Sequence, residues 1–345
     1  MGQFQDWRDG RMSGRVPTTA IMMATLMVPC FFGCASQITS VDETSGDETS
    51  GDETSTEGDV STDDPADDID FTTGFTTGLT EHILVHDKED RLYLLYVPQS
   101  YDGTQKVPLM LNFHGFGDSA QGHMAWADMR DLAEEENFIL VYPEGTLLDG
   151  YTHWNAGLDT PENKSDAEDF TFTEVLVESL SSTHNIDADR IYACGYSNGA
   201  FFAYSLACYN SDIFAAIGSV SGTMMEETYD NCDPTHPTGM INLHGTADHV
   251  VPYGGGSDGL VGIDSVLSYW ADLNSIDTSP VIDSINDNGM TIEYQAYSGA
   301  SATASVDHYK IMGGDHVWFD IEYDGADTNR LIWDFVSRHD INGLR

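Results

Sequence analysis

Residues 191–199 read Ile-Tyr-Ala-Cys-Gly-Tyr-Ser-Asn-Gly, a short apolar run that ends in Gly-x-Ser-x-Gly. The pattern predicts a strand bending sharply into a helix over residues 200–210, with Ser197 at the bend and its hydroxyl raised above a sheet. Glycine is required at 195 and 199 because a side chain there would strike the neighbouring strand or helix. The N-terminal amides of the following helix would face the oxygen of a bound carbonyl. Such a turn is a device for acyl transfer with Ser197 as nucleophile, and it demands a sheet whose strands feed helices.

The rest of the chain supplies that alternation. Ile83–Val85 and Leu92–Val97 read as a starting hairpin. Further strands are expected at Val107–Phe113, Phe138–Tyr142, Arg190–Cys194, Phe214–Ser219, Met240–His244, Met290–Tyr297 and His308–Met312. Helices are expected at Ala120–Glu136, Phe170–Ser182, Ser265–Leu273 and Thr328–Arg338. The class is α/β, with a mostly parallel twisted sheet covered by helices on both faces. In such a sheet the chemistry gathers at the carboxyl ends of the strands.

Three more strand ends carry chemistry. His114-Gly115-Phe116-Gly117 follows the first buried strand, and its glycines let the backbone turn amides inward. The N–H groups of Phe116 and Asn198 would form an oxyanion hole. His244-Gly245-Thr246-Ala247-Asp248 follows a later strand, and Asp248 would hold the tautomer of a catalytic histidine, with Asp264 as the fallback. Gly314-Asp315-His316-Val317-Trp318 follows the last strand, placing His316 on a glycine-rich loop as general base. Asp315 is poorly placed to orient its own neighbour. His114 and His244 read as strand-end residues that orient loops. Trp154 and Trp318 are candidate cleft aromatics, with Tyr196 beside the nucleophile as a further substrate contact. The short connection from Ser219 to Met240 leaves no room for a large lid, so the cleft should be open, which suits bulky or polymeric esters. No Cys-x-x-Cys or clustered histidine pattern points to a metal, and nothing points to a cofactor.

Composition sets the surroundings. From Phe71 onward the chain has 43 acidic and 10 basic residues, which argues against nucleic acid or an anionic membrane as partner. A negative surface short of lysine suits a saline setting, where screening relieves self-repulsion. Residues 1–34 read as a targeting segment: Arg8, Arg11 and Arg15 precede an apolar run from Ala20 to Cys34 that is too short for a comfortable membrane span. Two readings stay open there, plain secretion and lipidation at Cys34 giving a cell-surface tether. Residues 35–70, with the repeated Asp-Glu-Thr-Ser-Gly, read as a disordered acidic linker, and residues 71–345 as the catalytic domain, taken to be a monomer. Cys194 reads as buried packing. In an exported chain, a disulfide between Cys208 and Cys232 is plausible.

These motifs, with Tyr142-Pro143-Glu144-Gly145, Trp154-Asn155-Ala156-Gly157 and Val251-Pro252-Tyr253-Gly254-Gly255, resemble the secreted esterase family that includes polyhydroxybutyrate depolymerases and feruloyl or acetylxylan esterases. The resemblance runs from about Leu79 to Arg338. It implies an α/β-hydrolase fold, a Ser197, Asp248 and His316 triad, and pairing of Cys208 with Cys232. The chain departs from the family at Leu158-Asp159-Thr160-Pro161, where relatives often carry a cysteine pair, and it ends soon after its last expected helix, which weighs against a solid polymer as substrate. The expected activity is an exported serine carboxylic-ester hydrolase. The rival readings are a serine peptidase of the same fold and a non-catalytic surface-binding lipoprotein.

Overall fold

The first two strands, β1 (Gly78–His86) and β2 (Glu89–Val97), form a hairpin whose turn residues Asp87 and Lys88 both have positive φ, 48° and 71°. That turn matches the natural twist of paired strands. The structure is a computed structural model that describes residues 75–157, 165–256 and 259–345. The targeting segment (1–34, with Cys30 and Cys34), the acidic linker (35–70) and the Leu158–Pro161 loop lie outside the described residues.

The next elements are β3 (Val107–Phe113), α1 (Ala120–Trp126), α2 (Arg130–Glu136), β4 (Ile139–Pro143), the small hairpin β5 (Thr146–Leu148) and β6 (Tyr151–His153), and α3 (Asp169–Thr183). They are followed by β7 (Ile186–Tyr196), α4 (Asn198–Tyr209), β8 (Ala216–Val220), α5 (Glu226–Asn231), β9 (Gly239–Gly245) and α6 (Ile263–Leu273). The chain closes with β10 (Val281–Asp287), β11 (Met290–Tyr297), β12 (Val306–Met312), the short pair β13 (Glu322–Tyr323) and β14 (Ala326–Asp327), α7 (Thr328–Val336), and the pair β15 (His339–Asp340) and β16 (Gly343–Leu344).

Ten strands make one sheet in the order β1-β2-β4-β3-β7-β8-β9-β12-β11-β10. The six central strands, β4 to β12 in that order, are parallel, and the pairs at either edge run antiparallel. β3, β4, β8 and β9 are buried along their whole length, as strands covered on both faces must be. One core joins Phe172 and Leu176 of α3, Phe202 and Leu206 of α4 and Trp270 of α6 to the sheet; a second joins Met124 of α1, Leu132 of α2 and Trp333 of α7. This is the α/β class expected, with helices on both faces.

Two expectations about elements need correction. The single helix expected over Ala120–Glu136 is broken between Trp126 and Arg130. The Tyr142 hydroxyl, reaching from β4, accepts from the Met129 N–H (2.9 Å) and donates to the Ala127 carbonyl (2.7 Å), while Asp128 accepts the Arg130 N–H (3.0 Å). Those bonds replace the intrahelical ones. Strand β10 was not expected. It is an edge strand with little buried surface, joined to β11 through Asn288-Gly289, both with positive φ.

Candidate active site

Ser197 sits between β7 and α4 at φ 52°, ψ −117°, a region L-residues rarely adopt, and its N–H is held by the Val220 carbonyl at 3.0 Å. Both glycines of the turn are sterically required. A Cβ on Gly195 would lie 2.5 Å from the backbone of Gly199, and one on Gly199 would lie 2.2 Å from the Phe113 carbonyl oxygen.

The ends of β9 and β12 are stitched together. The Thr246 N–H donates to Ile311, the Ala247 N–H to Gly314, and the Gly313 N–H to the Thr246 hydroxyl. A Cβ on Gly245 would lie 2.2 Å from the Gly314 carbonyl oxygen, so only glycine allows this approach. The turn carrying Asp248 therefore lies against the loop carrying His316. His316 Nδ1 donates to Asp248 Oδ2 at 2.8 Å, and Ser197 Oγ donates to His316 Nε2 at 2.9 Å. The donor assignment follows from chemistry: a carboxylate only accepts, so the ring proton is on Nδ1 and Nε2 is free to take one. Asp248 Oδ1 accepts the N–H groups of Val250 (2.9 Å) and Val251 (2.8 Å). Burial pushes the Asp248 pKa up, but the bonds from His316 and Val251 outweigh it and the net shift is downward.

The His316 loop is held from two sides. Tyr196 donates its hydroxyl to the His316 carbonyl (3.0 Å) with its ring 5.1 Å from the imidazole, and Ser221 donates to the Val317 carbonyl (2.7 Å). Asp315 accepts the His316 N–H (2.8 Å) and pairs with exposed His249 (2.6 Å), so it fixes the loop and not the imidazole. The fallback carboxylate, Asp264, bonds the Tyr253 hydroxyl (3.1 Å) and does not join this group.

The His114–Gly117 loop lies beside Ser197: a Cβ on Gly115 would be 3.5 Å from Ser197 Cβ. The N–H groups of Phe116 and Asn198 have no hydrogen-bond partner among the described residues. His114 is buried and orients this loop, accepting the Gly145 N–H at Nε2 (2.9 Å) and donating Nδ1–H to the Gly115 carbonyl (2.7 Å). His244 donates to the Val251 carbonyl (2.8 Å), bracing the turn that carries Asp248. Burial lowers the pKa of both histidines.

Trp154 does not line a cleft. It is 1% exposed, stacks on Phe202, meets Phe113 edge to face and donates its indole N–H to the His114 carbonyl (3.1 Å). Trp318 does line one, a cleft of about 530 Å³ that also holds Tyr196, Val317 and Trp126. Trp126 packs edge to face on Tyr196 (5.1 Å) and Trp318 (5.9 Å) and is 42% exposed. Sequence reasoning missed Trp126 by placing it inside a continuous helix, and missed Ser221, whose positive φ (50°) has no motif to mark it. Cys208 and Cys232 are bonded, linking α4 to the end of α5 with a Cα separation of 4.8 Å, and Cys194 is buried and free.

Sheet order, helix layers and the strand-end group define an α/β-hydrolase fold. Residues 91–236 match the family model described as esterase PHB depolymerase, so the likeness to that esterase family is carried by the stretch holding the Ser197 turn and the His114 loop. The chain is 26% identical over 258 residues to feruloyl esterase B of Piromyces equi, covering 72% of this chain and 45% of that protein. It is 27% identical over 179 residues to probable feruloyl esterase C of Aspergillus niger, covering 50% and 60%. The chain thus spans about half the length of these curated relatives. The solved acetyl xylan esterase from Aspergillus awamori superposes with a TM-score of 0.51 over 69% of this chain and 94% of that one, at 15% identity, which speaks for the fold.

Proposed function

We propose that this domain is a serine carboxylic-ester hydrolase working through an acyl-enzyme on Ser197. The observation that carries the reading is the unbroken relay Asp248–His316–Ser197, at 2.8 and 2.9 Å, on a serine held at positive φ. In the first half-reaction His316 Nε2 takes the Ser197 proton as Oγ attacks the ester carbonyl. The oxyanion that forms is met by the N–H groups of Phe116 and Asn198. Collapse expels the alcohol, protonated by His316. Water, deprotonated by the same nitrogen, then releases the acid.

Relatives named for feruloyl and acetylxylan esters, and a family model named for polyhydroxybutyrate, suggest feruloyl or acetyl esters of polysaccharide, or polyester, as substrate. The cleft next to the His316 loop, lined by Trp126, Tyr196, Val317 and Trp318 and also by Asp320, Asp327, Thr328 and Asn329, supports an aromatic group near the scissile bond. We further infer that the enzyme is exported, as the N-terminal segment and the Cys208–Cys232 disulfide suggest, tethered through Cys34 or free, and that it acts as a monomer.

The test is hydrolysis of p-nitrophenyl butyrate, methyl ferulate, acetylated xylan and a polyhydroxybutyrate suspension, beside fluorophosphonate labelling. Ser197→Ala should lower kcat by about 10⁴-fold or more and abolish labelling. Turnover that survives this change would remove the mechanism. Absence of both turnover and labelling in the unaltered protein would favour a binding module, and amide cleavage in place of ester cleavage a peptidase.

A further inference from the structure

The two N–H groups assigned to the oxyanion come from distant parts of the chain, Phe116 after β3 and Asn198 at the start of α4. Their separation has to be set by something other than chain connectivity. One short segment, Thr152–Trp154 at the end of β6, bonds to both of the stretches that carry them. On one side the Thr152 carbonyl accepts the Gly117 N–H (2.7 Å), and the Thr152 hydroxyl donates to the Asp118 carbonyl. On the other, the Asn198 carboxamide grips the backbone of Trp154: Oδ1 accepts the Trp154 N–H (2.7 Å) and Nδ2 donates to the Trp154 carbonyl (3.0 Å). The Trp154 indole N–H then reaches back to the His114 carbonyl (3.1 Å), and His114 holds Gly115 and Gly145. The ring itself is fixed between Phe202, Phe113 and His114, with centroids at 5.4, 5.1 and 5.1 Å.

We propose that the Asn198 side chain is a positioning residue for the oxyanion site: by clamping both backbone groups of Trp154 it locks the amide of residue 198 to the His114–Gly117 loop. The inference rests on the esterase reading above. It gives Trp154 the role of a brace, which accounts for an indole buried against the His114 loop. A carboxamide suits the task because one planar group supplies an acceptor for the N–H and a donor for the C=O of the same residue. A carboxylate of the same size keeps the acceptor but sets a negative oxygen against the Trp154 carbonyl. Alanine leaves both backbone groups without this partner.

The clamp touches neither the substrate nor the reacting atoms, so its loss should appear where charge develops on the carbonyl oxygen. Removing a whole oxyanion donor costs about 10²- to 10³-fold in kcat, and misplacing one should cost less. For Asn198→Asp and Asn198→Ala the expected result is a fall in kcat of roughly 10- to 100-fold with KM within about threefold. Affinity for a trifluoromethyl ketone, whose adduct carries the oxyanion, should fall by the same factor as kcat/KM. Should both variants fail to fold, Trp154→Phe removes the bond from the indole N–H to the His114 carbonyl together with one of the two fused rings, while an aromatic ring and the backbone groups that Asn198 holds remain. It should lower kcat and ketone affinity together by a smaller factor. The proposal is overturned if kcat stays within twofold of wild type, or if kcat falls while ketone affinity does not. Wild-type protein that hydrolyses no ester would overturn the esterase reading and this inference with it. Active wild type beside fully active Asn198 variants would overturn this inference alone.

Discussion

At the scale of single residues, two carboxylates near His316 have opposite fates. Asp248 is buried, accepts two backbone N–H groups through one oxygen and holds His316 Nδ1 through the other. Its pKa is depressed on folding, so the stability it contributes is fully present above the ordinary carboxylate value of about 3.9, and is lost progressively as the pH falls from there to and through its lower folded value. In Asp248→Asn the amide oxygen can still take the Val250 and Val251 N–H groups, but the amide nitrogen would donate to His316 Nδ1. The ring proton would move to Nε2, which could then no longer accept from Ser197. We expect kcat to fall about 10⁴-fold at pH 7 with a small change in melting temperature, measured by steady-state kinetics and calorimetry. The exposed Asp315 is the control: Asp315→Asn breaks a solvent-screened pair with His249 and should leave kcat within a few-fold of wild type. Equal losses in the two variants would mean that the loop, and not the tautomer, is what Asp248 supports.

At the scale of elements, α4 carries the site and is tied down at its far end. The Cys208–Cys232 bond closes a loop spanning 24 positions between α4 and the end of α5, which by chain entropy stabilises the fold by about 3 kcal/mol. Cys208→Ala with Cys232→Ala should lower the urea midpoint accordingly while the folded protein keeps its kcat, since neither cysteine contacts the Ser197, His316 and Asp248 group. An activity loss under native conditions would instead mean that the bond holds the Ser197 turn in place. These elements were largely legible in the sequence because the constraints are local: buried parallel strands read as continuous apolar runs, and steric demands write glycine at 195, 199 and 245. What stayed hidden is set by partners distant in the chain. The break at residues 127–129 depends on the Tyr142 hydroxyl. Apolar character alone could not tell buried Trp154 from half-buried Trp318, and the Asn198 clamp exists only once β6 is folded beside α4.

At the scale of the whole molecule, stability is pulled in two directions by charge. The interior holds histidines that burial keeps neutral: the pKa of His114, His123 and His244 is lowered, that of His308 to about 3 and that of His339 to about 4. In the unfolded chain each titrates near 6.5. Below that pH the unfolded state binds protons that the folded state refuses, so each such histidine takes away about 1.4 kcal/mol per pH unit until its own folded pKa is reached. The surface acts on the other side. The 43 acidic and 10 basic residues from Phe71 onward repel one another at neutral pH, and this repulsion eases as carboxylates protonate near pH 4. Salt separates the two effects, because a Debye length of about 3 Å at 1 M screens exposed charges but leaves buried ring nitrogens untouched. Urea midpoints measured from pH 8 to pH 4 should therefore show a gain from 1 M NaCl that is large at pH 8 and shrinks toward pH 4. The fall in stability from about pH 6.5 downward should persist at both salt levels. A midpoint at pH 8 that ignores salt would mean that the acidic surface does not strain this fold. An acid limb that vanished in salt would place its cause on the surface and not in the buried histidines.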